Sequence, residues 1–91
     1  MVMTIQEFNT KYKKHLANRF YGLAIETPEV IAYLDEVFRS LALLYPDFIY
    51  YQIKTKMGRP VIYTDNVPNN IIENIQKELY EILKKHEQKF A

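Results

Sequence analysis

Apolar positions along the chain fall into four runs, three with helical spacing and one with a period of two. In the first, Ile5, Phe8, Tyr12, Leu16 and Phe20 form one stripe, with Lys11, Lys13, Lys14 and Asn18 mostly off it. Thr4 and Glu7 stand three apart, as a capping box requires, and Gly22 is a natural left-handed stop. The second run opens at Thr27-Pro28-Glu29: a cap, a proline where the helix needs no N–H, and an acid in the positive first turn. Val30, Ile31, Leu34, Val37, Phe38, Leu41 and Leu44/Tyr45 follow, a wide apolar stripe that predicts the most buried helix; Pro46 ends it.

From Phe48 to Met57 the period shortens to two. Ile49, Tyr51, Ile53 and Met57 make one face and Phe48, Tyr50, Gln52, Lys54 and Lys56 the other. The first set reads as core and the second as the open face of a sheet covered on one side. Gly58-Arg59 predicts a tight turn into a partner strand, Pro60–Thr64, whose proline suits an edge. Asp65–Asn70 breaks the chain with turn-formers. Asn70 and Glu73 read as a second capping pair, and Ile71/Ile72, Ile75, Leu79, Ile82/Leu83 and Phe90 as the stripe of a last helix. The expectation is a single α+β domain over residues 1–91, a two-stranded antiparallel hairpin packed on three helices in the order α-α-β-β-α. Tyr21–Ile25 is a candidate short third strand. Ten residues in the first hairpin strand exceed the five in its partner. The unpaired edge is therefore expected to be covered by Tyr21–Ile25 or by the same strand of a second copy, a homodimer.

Charge is unevenly distributed. Residues 1–22 carry +3, 23–48 carry −4, 49–64 carry +3 and 65–91 carry −1, against a net charge of +1. Such a near-neutral total gives little generic attraction to nucleic acid, although a basic surface joining the hairpin to Lys11–Arg19 would supply it. With no cysteine there is neither disulfide nor thiolate metal site. His15 and His86 are 71 residues apart and read as surface residues, not ligands. The two glycines are isolated, so no phosphate loop is present, and Ser40, the one serine, has no histidine near it in sequence. Asp35-Glu36 project about 100° apart on a helix, poor geometry for a shared carboxylate site. No catalytic residue, metal or cofactor is expected. No leader and no membrane-length apolar run is evident, which points to the cytoplasm.

The open strand face carries the functional expectation. Phe48, Tyr50, Gln52, Lys54, Lys56 and Arg59 alternate aromatic, amide and basic groups with no acid among them. Such a face suits a protein partner, where tyrosine and arginine are favoured. It also suits a nucleic acid or nucleotide, whose bases stack on aromatic rings while lysines neutralise phosphates.

Within this stretch, Gln52–Tyr63 (QIKTKMGRPVIY) resembles the central motif of a small family common in bacteriophages and prophages, approximately Gln-(Val/Ile)-Lys-x-Lys-Phe-Gly-x-Leu-x-(Phe)-Tyr. Gln52, Ile53, Lys54, Lys56, Gly58 and Tyr63 match it, while Met57 and Pro60 depart from its Phe and Leu. In outline the resemblance covers residues 28–85. Many members end in a paired-cysteine knuckle that this chain lacks. The resemblance implies a small phage or prophage product acting in the cytoplasm of a bacterial host. It carries no activity with it. Together with the binding face, it leads to the expectation of a non-enzymatic accessory factor that binds and inhibits a host protein, such as a defence component. A nucleic-acid or nucleotide-signal binder is the alternative.

Overall fold

The central strand of the sheet is held on both sides, once by its hairpin partner and once by a strand from far earlier in the chain. The computed structural model describes residues 3–18 and 21–90, the side chains of 87–90 excepted. The elements are α1 (Ile5–Lys11), β1 (Gly22–Leu23), α2 (Pro28–Leu44), β2 (Ile49–Lys56), β3 (Arg59–Asp65) and α3 (Asn69–Phe90), with a short 3-10 turn at Lys13–His15. This is an α+β fold in which three helices cover a three-stranded mixed sheet of order β1-β2-β3. The element order is α-β-α-β-β-α, so the expected order α-α-β-β-α is corrected by β1.

β1 runs parallel to β2, with Gly22 opposite Gln52 and Leu23 opposite Ile53. A parallel pair needs a long crossover, and α2 supplies it. Leu16 bridges Tyr50 just before, and the N–H groups of Ala17 and Ala24 donate to the carbonyls of Tyr50 and Ile53 at 3.0 and 2.8 Å. The β2 edge is thus closed within the chain from Tyr50 to Ile53, the first of the two expected solutions, and that stretch is not open to a second copy.

This pairing explains why α1 is short. Its capping box forms, with Glu7 N–H donating to the Thr4 hydroxyl and Thr4 N–H to the Glu7 carboxylate, both at 3.1 Å. The helix nonetheless ends at Lys11, where one running on through Tyr12, Leu16 and Phe20 to a stop at Gly22 was expected. A longer helix would withhold Leu16 and Ala17 from β2 and leave buried backbone groups unpaired. Arg19 and Phe20 lie outside the described residues, as does the side chain of Phe90.

α2 begins and ends where expected, with Thr27 extended at the cap position, Pro28 in the first turn and Tyr45 closing the helix, although the Thr27 side chain makes no capping bond. Val30, Ile31, Leu34, Phe38 and Leu41 are buried, and Leu44 is not. At α3 the Pro68 carbonyl accepts from Ile71 and Ile72, so the helix starts one residue before Asn70 and the Asn70–Glu73 cap does not form. Ile75 and Leu79 enter the core. No helix among the described residues is long and apolar enough to cross a membrane.

The hairpin turns at Met57-Gly58, not Gly58-Arg59. Both residues have positive φ, 55° and 80°, the two-residue geometry that matches strand twist. Met57 therefore projects from the tip, almost wholly exposed, instead of joining the core as its period predicts. On the far edge of the sheet, Pro60 has no N–H to offer and Ile62 N–H donates to the Gln76 side chain of α3 at 2.9 Å. That edge is blunted against further pairing.

The core is aromatic at its centre. Phe8, Tyr12, Phe38, Phe48 and Tyr50 contact one another in tilted or edge-to-face pairs with centroids 4.9–6.1 Å apart. Such geometry adds about 0.5–1.5 kcal/mol per pair beyond area burial.

Candidate functional site

A single bulge decides which side chains face the solvent. Tyr50 pairs with Thr64 and Gln52 with Tyr63, so Tyr51 and Gln52 together oppose one residue. The extra residue shifts the alternation by one. Before it, even positions point inward and Phe48 and Tyr50 are buried; after it, odd positions do and Ile53 is buried. Tyr51, expected in the core, is on the outer face. Phe48 and Tyr50, expected on the open face, sit in the core and cannot touch a partner.

Tyr50 has a structural role. Its hydroxyl donates to Asn9 Oδ1 at 3.0 Å, and the same oxygen accepts from Leu23 N–H at 3.1 Å. Asn9 Nδ2 reaches the Leu23 carbonyl at 3.5 Å. One amide thereby ties α1, β1 and β2 together. Gly22 makes room for it: a Cβ there would lie 2.7 Å from Asn9 Oδ1, and its φ of +108° suits glycine alone. Burial, and then the nearby Tyr12, pushes the Tyr50 phenol upward. Phe48 is covered by His15, whose ring stacks on it at 4.2 Å and 7°, with Nδ1 2.9 Å from the Phe48 carbonyl. A carbonyl only accepts, so Nδ1 carries the proton. His15 is half-buried packing, not the surface residue expected.

The outer face that remains is still aromatic and basic. Tyr21, Tyr51 and Tyr63 are 55%, 41% and 43% exposed. With Gln52 and Lys54 they line a cleft of about 590 Å³ that continues past Ile62 and Thr64 to Asn69 and Ile72 at the start of α3. That volume lies in the range of small-ligand and peptide-anchor sites, about 300–1,000 Å³. Tyr51 is steadied by a hydrogen bond from its hydroxyl to the Asp65 carboxylate, which also raises its pKa. The Lys54 ammonium stands 6.0 Å from the centre of the Tyr63 ring, a cation–π arrangement, and among the described residues is the one charged group lining the cleft.

Of the six residues expected to bind a partner, Gln52 and Lys54 are in this cleft. Lys56 is exposed beside the hairpin turn. Arg59, across from it, is exposed and lies over the Tyr80 ring at 5.6 Å, pointing toward α3. Tyr21, Tyr51, Asn69 and Ile72 were not anticipated. The signal for Tyr51 is the Tyr50-Tyr51 doublet, in which two adjacent aromatic residues cannot both follow one alternation. Lys11 does not extend a basic surface to the hairpin, because its ammonium is held 2.7 Å from Asp35. Among the described residues no group of three or more His, Asp and Glu side chains could hold a metal ion.

No protein-family model, curated protein or solved structure matches the chain.

Proposed function

We propose that the protein is a non-enzymatic binding protein of phage or prophage type, which occupies a host protein in the bacterial cytoplasm through the outer face of its sheet. The observation that carries this reading is the clustering of Tyr21, Tyr51 and Tyr63 around Gln52 and Lys54. Exposed tyrosines concentrated at one place are the composition of an interface centre, where a few aromatic and cationic side chains supply most of the binding energy. A standard interface would cover about 800 Å² of a partner, roughly one-eighth of the 6396 Å² surface, so the cleft and its rim suffice as its centre. The resemblance at Gln52–Tyr63 supports the phage origin, and three of the residues that carry it, Gln52, Lys54 and Tyr63, line this cleft.

The second reading, a nucleotide or single-stranded nucleic acid, is favoured by one feature: the cleft sets tyrosine rings beside an amide and an ammonium, groups that stack bases, read their edges and meet phosphate. A tagged pull-down from bacterial lysate, with and without nuclease, separates the two. A defined protein captured regardless of nuclease, and lost with Tyr51→Ala plus Lys54→Glu, is the expected result. Both substitutions lie on exposed or half-exposed sites, and an unchanged melting curve confirms the fold. Capture abolished by nuclease, or direct binding of nucleotides that weakens steeply with salt, replaces the first reading with the second. Capture unaffected by both substitutions removes the outer face from either.

A further inference from the structure

Leu43 and Leu44 end α2 with 81% and 71% of their surface exposed. Leu44 does not stand alone. With Tyr33, Val37 and Leu41 it forms one wall of a groove of about 490 Å³, and Ile71 and Ile75 of α3 form the other. Steps of four, four and three residues keep the α2 wall on one stripe about 16 Å long, three turns of helix. Among the described residues, the charged groups lining the groove are Glu36 and Glu78, with no lysine or arginine. Glu78 faces Tyr33 closely enough that its charge, after the larger effect of burial, helps hold the Tyr33 phenol above its ordinary pKa. The groove has an apolar floor and a negative rim.

We propose that the α2–α3 groove docks an amphipathic helix of a protein partner, one that carries lysine or arginine beside its apolar stripe. The length matches three turns of such a helix, and leucine-type side chains at i, i+3/i+4 and i+7 would meet the floor. The cations would lie against Glu36 and Glu78, which excludes acidic helices and sets orientation. A second copy of this chain is disfavoured by the same charges. Two-fold pairing of groove on groove brings one acidic rim against the other. This surface is separate from the tyrosine cleft, so either can fail without the other.

The test is titration of the isotope-labelled protein with a synthetic helical peptide of about five turns, leucine at i, i+3, i+4 and i+7 and lysine on its flanks, followed by amide chemical shifts. A twin with glutamate in place of lysine is the control. The lysine peptide is expected to move the amides of Tyr33, Val37, Leu44 and Ile71. Its affinity should fall about tenfold or more in Leu44→Ser, and similarly in Glu36→Lys with Glu78→Lys, while the glutamate twin binds at least tenfold more weakly. All three residues are exposed, so the variants should keep the wild-type fold, which the same spectra verify. Equal binding of the twins, shifts mapping to the outer sheet face, or no shifts at all overturns the proposal. A dimer seen by light scattering that Leu44→Ser dissociates also overturns it, by giving the groove to a second copy.

Discussion

Asn9 shows how much one side chain can decide. It lies on the seven-residue α1, outside the apolar stripe, yet its amide meets Leu23 on both backbone groups and accepts the Tyr50 hydroxyl. Removing it leaves a buried phenol and a strand N–H without their acceptor, at about 1–3 kcal/mol for the unsatisfied groups. Asn9→Ala is therefore expected to destabilise the protein by about that amount in urea denaturation, and Tyr50→Phe by about 1 kcal/mol. In the double variant the losses should be less than additive, because both act through one oxygen. Strict additivity would mean that the Asn9–Tyr50 bond contributes nothing.

At the scale of elements, α1 and α2 are joined at Asp35. Its carboxylate accepts from Lys11 at 2.7 Å, from the Tyr12 hydroxyl at 2.5 Å and from Arg39 at 3.2 Å. Burial alone would raise the Asp35 pKa, but the bonds from Lys11, Tyr12 and Arg39 outweigh it and the pKa is lowered. A carboxyl with a folded pKa below its unfolded value near 3.9 stabilises the fold above that pH, and the contribution disappears as pH falls through the folded value. Asp35→Asn should thus be less stable than wild type at pH 7, and the difference should shrink as pH drops below about 4. Tyr12 is shifted the other way, raised by burial and then by Asp35. Its neutral form is favoured in the fold, so stability should decline as pH rises past about 10, where the unfolded phenol ionises. Denaturation midpoints across pH check both limbs; a constant gap between wild type and Asp35→Asn from pH 7 to pH 2 contradicts the assignment.

For the whole molecule, the core converges from every element on the inner face of the sheet. Leu34 from α2 and Leu79 from α3 are both fully buried. Truncating either to alanine is expected to cost about 2–5 kcal/mol, the usual range for a buried leucine. In a domain of 91 residues, with total stability of roughly 5–14 kcal/mol, either change consumes a large share of it. A loss below about 1 kcal/mol at both sites would place the core elsewhere.

The helices' existence, the α2 boundaries, the capping box, the hairpin and the buried stripe of α2 are legible from local sequence, because each depends on neighbours within a few residues. Thr4 and Glu7 meet across one helical turn, and Pro28 and Pro46 act on the backbone beside them. Local sequence also placed Gln52 and Lys54 on the outer face. Where α1 stops, the parallel pairing of β1 with β2, and which tyrosine of Tyr50-Tyr51 is buried are set by the assembled fold. These depend on partners far along the chain: the open edge of β2 takes up Leu16, Ala17 and Leu23, and Asn9 receives the Tyr50 hydroxyl. Both phases of Phe48–Ile53 are nearly equally apolar, so alternation could not choose between them. The aromatic centre, built from Phe8, Tyr12 and Phe38, took in Phe48 and Tyr50 and left Tyr51 to the cleft. A bulge of one residue reverses every side chain before it relative to those after it, and its position is set by what the other elements bring to the sheet.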